Sequence, residues 1–230
     1  MKCIVFDSGP VISLALNNLL WILKELKQLY NGEFILPAAV HHELIETPMQ
    51  IRRFEFEAFQ VNELITASVF REYDTEELAA SGYRCMEIAN TVFYAKGEPL
   101  RISQIGEAQA IAAHNLLKSD GIVVDERTTR MLIEQPESLR QVLSSRLHTR
   151  VRLNKQKLNE FYKLFGKPPV LRSVEIVTVA FEFGLLNRYL FNTNRETRRE
   201  LLKSSLWALK LKGATVSEKE IEQILKTEKL

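Results

Sequence analysis

The sequence predicts an α/β protein: a three-layer α/β/α sandwich around a central, mainly parallel twisted sheet, with extra helices. Three observations lead there. Short continuous apolar runs at Cys3-Ile4-Val5-Phe6, Phe34-Ile35-Leu36 and Ile122-Val123-Val124 have the look of strands buried on both faces. Longer stretches between them repeat their apolar residues at helical spacing. Each run is closed by a stop or helix-start signal: Asp7-Ser8-Gly9-Pro10, Pro37 and Asp125.

In chain order, Cys3 to Phe6 is expected as the first and central strand. From Val11 to Tyr30, Ile12, Leu16, Leu19, Leu20, Leu23, Leu26 and Leu29 predict one long helix, stopped by Asn31-Gly32. Glu33 to Leu36 repeats the strand signal, and Pro37 opens a helix whose inward stripe is Val40, Leu44 and Ile45. The stretch from Gln50 to Lys96 reads mostly helical, with Asp74-Thr75-Glu76-Glu77 as a cap and acidic first turn and a short strand around Ile65 to Phe70. Ile105, Ala108, Ile111, Ala112 and Leu116 mark the next helix, and Ser119-Asp120-Gly121 turns it into the strand ended by Asp125. Between Met131 and Arg172, nine basic residues (Arg140, Arg146, Arg150, Arg152, Lys155, Lys157, Lys163, Lys167, Arg172) face three acidic ones (Glu134, Glu137, Glu160). Leu158, Phe161, Tyr162 and Phe165 form one helical face there, before Gly166 and Pro168-Pro169. Val174 to Leu186, Arg195 to Lys212 and Ser217 to Leu230 read as three more helices, with Gly184 and Gly213 as stops.

Two hundred and thirty residues can bury a core without disulfides or structural metal, and no repeat or linker divides them, so a single domain is expected over 1–230. Within it, 1–130 is the core, 136–172 a basic helical insertion and 173–230 a set of C-terminal helices. The formal net charge of +2 argues for neither a general nucleic-acid coat nor an acidic tail, so only local charge speaks about partners. Cys3 and Cys85 lack metal or redox spacing, which fits a reducing compartment, expected to be the cytoplasm. No apolar run approaches the roughly 18 residues that span a bilayer, so no membrane association is expected.

The chemistry is expected at the acids. In an open parallel sheet, ligands collect beyond the carboxyl ends of the strands, where Asp7 and Asp125 both stand. If their strands are neighbours, the two carboxylates reach one spot and repel unless a cation lies between them. Glu43, on the helix after the second strand, and Glu107, in the first turns of the helix feeding the Asp125 strand, join them. Four hard oxygen donors without a His or Cys cluster describe an Mg2+ or Mn2+ site. Each acid also has an ordinary reading: Asp125 as an N-cap, Asp7 closing a turn with Ser8, Glu107 complementing a helix dipole, Glu43 solvated. Their coincidence in a parallel-sheet pattern favours the shared site.

The string Ile4-Val5-Phe6-Asp7-Ser8-Gly9-Pro10-Val11-Ile12-Ser13-Leu14 resembles the opening of PIN-domain proteins. Leu36-Pro37-Ala38-Ala39-Val40-His41-His42-Glu43-Leu44 is similar to their second acidic motif, Ile105-Gly106-Glu107-Ala108-Gln109-Ala110-Ile111-Ala112 to the Gly-Glu-Ala-Glu form of the third, and Val123-Val124-Asp125-Glu126-Arg127 with Arg130 to the fourth. The strings match in order and spacing over residues 1 to 130, and the likeness resumes more loosely at Val174 to Leu186 and after Arg195. The resemblance implies a metal-dependent nuclease acting on single-stranded RNA, often the toxin of a prokaryotic pair with an antitoxin protein, and frequently a homodimer. Carried over, Asp7, Glu43, Glu107 and Asp125 are the acidic catalytic and metal-binding positions. Gln109 departs from the family, where many relatives have a second glutamate, and this bears on a second metal. Ser8 matches the small polar position beside the first aspartate, and Arg127 and Arg130 are candidates for phosphate contact or for tethering the acids by ion pairs.

The implied reaction is hydrolysis by cation-activated water, leaving a 5′-phosphate and a 3′-hydroxyl. The basic segment is the candidate clamp for RNA, whereas its aromatic stripe is expected to pack rather than stack on bases. Other enzyme classes lack an anchor. His42-Glu43-Leu44-Ile45-Glu46 has Glu46 where a zinc-protease helix needs its second His, and no phosphate-binding, dinucleotide or serine-hydrolase motif occurs. The remaining rival is a catalytically silent PIN-like module that binds RNA or assembles with protein.

Overall fold

A computed structural model describes residues 2–52, 54–192 and 194–228 of the chain. Its first part runs β1 (Cys3–Phe6), α1 (Ser8–Ala15), α2 (Trp21–Tyr30), β2 (Glu33–Pro37), α3 (Ala38–His41), a π-helical turn (His42–Glu46), α4 (Thr47–Met49), α5 (Glu55–Thr66) and β3 (Phe70–Tyr73). The middle part contains α6 (Glu76–Ala89), β4 (Phe93–Ala95), β5 (Glu98–Pro99), α7 (Ile105–Leu117), β6 (Gly121–Val123), α8 (Arg127–Glu134), α9 (Pro136–Arg146), β7 (Val151–Leu153) and α10 (Lys155–Phe165). The last part is β8 (Val170–Leu171), α11 (Ser173–Glu182), a 3-10 turn (Leu185–Tyr189), α12 (Arg195–Leu211) and α13 (Glu218–Thr227).

Five strands form the central sheet in the order β3-β2-β1-β6-β8, and every neighbouring pair is parallel. Parallel strands need crossovers that cover both faces, and two cores lie on either side. Alternation along β1 divides the residues: Phe6 joins the core with α1, α2, α5, α11 and α12, while Cys3 and Val5 join the one with α6, α7 and α10. The result is the three-layer α/β/α arrangement. Phe6 is fully buried, with its ring 4.9 Å from Phe34 and 5.2 Å from Phe70, so the carboxyl end of β1 is tightly packed. Burying such a side chain contributes roughly 1.5–3 kcal/mol.

Several elements differ from the expectations. The long helix from Val11 to Tyr30 is two helices, because Asn18 adopts a left-handed conformation (φ 54°) and the Leu19 amide donates back to the Leu14 carbonyl. That is a helix-ending motif, and continuous apolar spacing hides it. The strand expected around Ile65 to Phe70 begins only at Phe70, since α5 runs through Thr66. The 136–172 segment is not a purely helical insertion: β7 pairs antiparallel with β4 in a second sheet of order β5-β4-β7, and β8 is the edge of the central sheet. Its aromatic stripe packs inward, with Phe161 and Phe165 buried. The last expected helix ends at Thr227; its final two positions, 229–230, lie outside the described residues. Among the described residues, no helix is long and apolar enough to cross a membrane.

Candidate functional site

Asp7 leaves the sheet at the carboxyl end of its central strand. Its amide still donates to the Val123 carbonyl of β6 at 3.0 Å, which fixes the direction of the side chain before α1 begins. The residue is only 4% exposed. Burial, and then the charges of Glu107 and Glu43, push its carboxyl up to about 8, while the amides of Ser8 and Gly9 offset part of the rise. Three acids from separate segments therefore share one electrostatic neighbourhood.

Glu43 reaches this neighbourhood from the π-helical turn, where the extra residue per turn re-aims side chains. Ser8 donates its hydroxyl to Glu43 Oε2 at 2.7 Å, so the residue after Asp7 holds the second acid in place. The other side of that carboxylate lies against Gly106 in α7. A Cβ there would come within 2.6 Å of Glu43 Oε1, so glycine lets the carboxylate keep this position. Glu107, next in α7, accepts the Gln104 amide at 2.8 Å in a capping box. Its ordinary reading as a helix-start residue thus holds, but burial pushes its carboxyl upward. The amides of Gln104 and of Glu107 itself lower it, and the charges of Glu43 and Glu126 add to the rise.

Asp125 stands on the neighbouring strand's extension, as expected from two adjacent parallel strands. Gly9 separates it from Asp7: a Cβ on Gly9 would lie 3.5 Å from Asp7 Oδ2 and 3.6 Å from the Asp125 Cβ. It does not cap α8; Glu126 does, accepting the Thr129 amide at 2.6 Å. Both Asp125 oxygens are instead engaged by serines. Oδ1 accepts the Ser173 amide at 2.8 Å, and Oδ2 accepts the hydroxyls of Ser173 at 2.7 Å and Ser13 at 2.9 Å. The arginine ion pairs at Glu137, Glu175, Glu220 and Glu222 engage other carboxylates than these four. Sequence assigns no role to Ser13, although it lies in the first motif string, or to Ser173, whose signal is a hydroxyl residue just ahead of the apolar run at Val174.

Other expected positions fall differently. Gln109 is buried and accepts the Ala39 amide at 2.8 Å, tying α7 to the start of α3 rather than facing the acids. Arg127 is exposed and Arg130 half-buried, and neither makes an ion pair among the described residues, so the tethering role expected for them is not seen. A cleft of about 880 Å³ opens instead from Glu107 and Glu126 toward Tyr83, Arg101 and Arg146. Asn90 shapes its wall by accepting the amides of Ile102 and Ser103 at 2.7 and 2.9 Å.

The donor chemistry suits a hard divalent cation: oxygen ligands only, with the Asp7 carboxyl pushed up first by burial and then by the charges of Glu107 and Glu43, which a cation would offset. Among the described residues, however, no three His, Cys, Asp or Glu side chains already stand around a single point as a ligand set. Asp7, Glu43 and Glu107 would have to draw inward. No known protein family, curated protein or solved structure matches the chain.

Proposed function

We propose that the protein is an Mg2+- or Mn2+-dependent endoribonuclease of PIN-like fold that hydrolyses single-stranded RNA. The observation that carries this reading is the buried Asp7 carboxyl at the end of the central strand, raised to about 8 beside Glu107 and Glu43. Such a cluster is costly to the fold and is relieved by a divalent cation. When bound, the cation supplies Lewis acidity toward a phosphate oxygen and lowers the pKa of water.

The chain's own groups divide the remaining work. Asp7, Glu43 and Glu107 are the residues that would hold the cation, with Asp125 beside them. Ser8 orients Glu43, and the Gln104 amide orients Glu107. Arg101 and Arg146, across the cleft, offset the repulsion between phosphates and the acidic rim. Attack in line by water then leaves a 5′-phosphate and a 3′-hydroxyl.

The three hydrogen bonds on Asp125 favour one alternative, a catalytically silent PIN-like module for RNA binding or protein assembly, in which this carboxylate serves the fold alone. Labelled single-stranded RNA separates the two. Cleavage by wild-type protein with Mn2+, abolished by chelator and by Asp7→Asn, supports the nuclease. Binding without products under every condition supports the module, and 2′,3′-cyclic phosphate ends contradict the hydrolytic chemistry.

A further inference from the structure

The small antiparallel sheet β5-β4-β7 has an inner and an outer face. Its register places Phe93 opposite Leu153, Tyr94 opposite Arg152 and Ala95 opposite Val151. Phe93 and Val151 are buried, so Tyr94 and Arg152 belong to the outer face. Lys96, just after β4, and Arg150, just before β7, are exposed and line the same depression as Tyr94 and Arg152. Lys96 and Gly97 form the two-residue turn between β4 and β5, both with positive φ (52° and 91°), which is the tight hairpin geometry. Tyr94, Lys96, Arg150 and Arg152 line one depression of about 530 Å³, and no acidic side chain lines it.

Charge pairing separates these cations from Arg140, Lys157 and Arg172 of the basic segment, though not from Lys155 and Lys163. Arg140 is paired with Glu137 and Lys157 with Glu160, both at 2.8 Å. Among the described residues, Lys96, Arg150 and Arg152 make no ion pair, and neither do Arg101 and Arg146 of the cleft. The same two chain segments join both places. One leads from β5 to Arg101, and the other from Arg146 at the end of α9 to Arg150 before β7. Unpaired cations therefore extend from the acidic rim through Arg101 and Arg146 to the outer face of the small sheet.

We propose that this outer face is an exosite for the backbone of single-stranded RNA, with Lys96, Arg150 and Arg152 holding phosphates and Tyr94 offering a ring to a base. Cations on a strand face repeat at roughly 7 Å along the strand and 5 Å across it, a spacing that follows a flexible strand rather than one compact anion. The inference rests on the reading of single-stranded RNA as substrate, and it adds that long strands are favoured over short ones.

The test is fluorescence anisotropy in chelator, so that no cleavage intrudes, with labelled oligouridylates of 6 and 24 nucleotides. The variant K96A/R150A/R152A alters exposed residues only, and its thermal unfolding is measured alongside. The 24-mer should bind about 10- to 100-fold more weakly, and the slope of log affinity against log salt should fall by about 2, given roughly 0.7 per phosphate contact on a single strand. Affinity for the 6-mer, which the cleft alone accommodates, should be unchanged. The control R140A/K157A, which removes cations already paired, should match wild type. An unchanged slope in the triple variant, equal loss with both oligonucleotides, or no binding by wild type overturns the exosite. Wild type that binds with the expected slope but never cleaves in Mn2+ overturns the nuclease and leaves the exosite standing.

Discussion

Two clusters of carboxylates in this molecule show opposite physics. At the rim, Asp7 is buried near Glu107 and Glu43 and its carboxyl is held up at about 8. At the junction of α11 and α13, burial also works against Glu220, but the Ser217 amide and the Arg172 guanidinium, 2.8 Å away, outweigh it and hold its carboxyl at about 2. Arg172 also engages Glu175 and the Thr215 carbonyl, so the C-terminal helix is clasped to the body. Acids supplied with a cation by the chain stabilise the fold, and acids left without one are where the proposed cation would act.

The largest test of this contrast is Asp7→Asn. On the proposed reading it lowers single-turnover RNA cleavage by about 1000-fold or more, because a metal site that stabilises the transition state contributes several kcal/mol. Its thermal stability in chelator should not fall. Arg172→Met attacks the other cluster. It should cost about 2–3 kcal/mol in denaturant unfolding, below the figure for a fully buried pair because the Glu220 side chain is 40% exposed, while leaving the chemical step intact.

A pH series sharpens the comparison. Folded Asp7 keeps its proton up to about 8, whereas the unfolded chain releases it near the ordinary 3.8. Between those values the folded state binds more protons, so metal-free stability should fall as pH rises from 5 to 8. Differential scanning calorimetry in chelator reads this as a falling Tm, flattened in Asp7→Asn. Mn2+ should raise Tm more at pH 8 than at pH 5. Glu220, shifted the other way, loses its contribution only as pH falls from about 4.5 toward 2, outside that window. The smallest effect is expected from Gly106→Ala. Its methyl group meets the mobile end of Glu43, so Mn2+ affinity by titration should weaken by about tenfold with little change in Tm.

How far the sequence foretold this can be judged from particular residues. Asp7 and Asp125 were legible because each ends an apolar run in an α/β pattern, and β1 and β6 are indeed neighbours. Glu43 and Glu107 joined them through helix position and family resemblance, and their shared field with Asp7 agrees with that grouping. The serine partners of Asp125 were not legible, since hydrogen bonds spanning 112 and 48 residues leave no local pattern. Strands β7 and β8, of three and two residues, are too short to carry a period, so a basic stretch concealed both a second sheet and the edge of the first. The break at Asn18 was masked by leucines that keep helical spacing across it.

The engagement of Asp125 by Ser173 has a temporal corollary. All four acids have been translated by codon 125, yet the donor that orients the last of them is added 48 residues later. Over that stretch of synthesis Ser13 is the one serine partner this carboxylate can have, and its full set of donors is complete only once α11 begins.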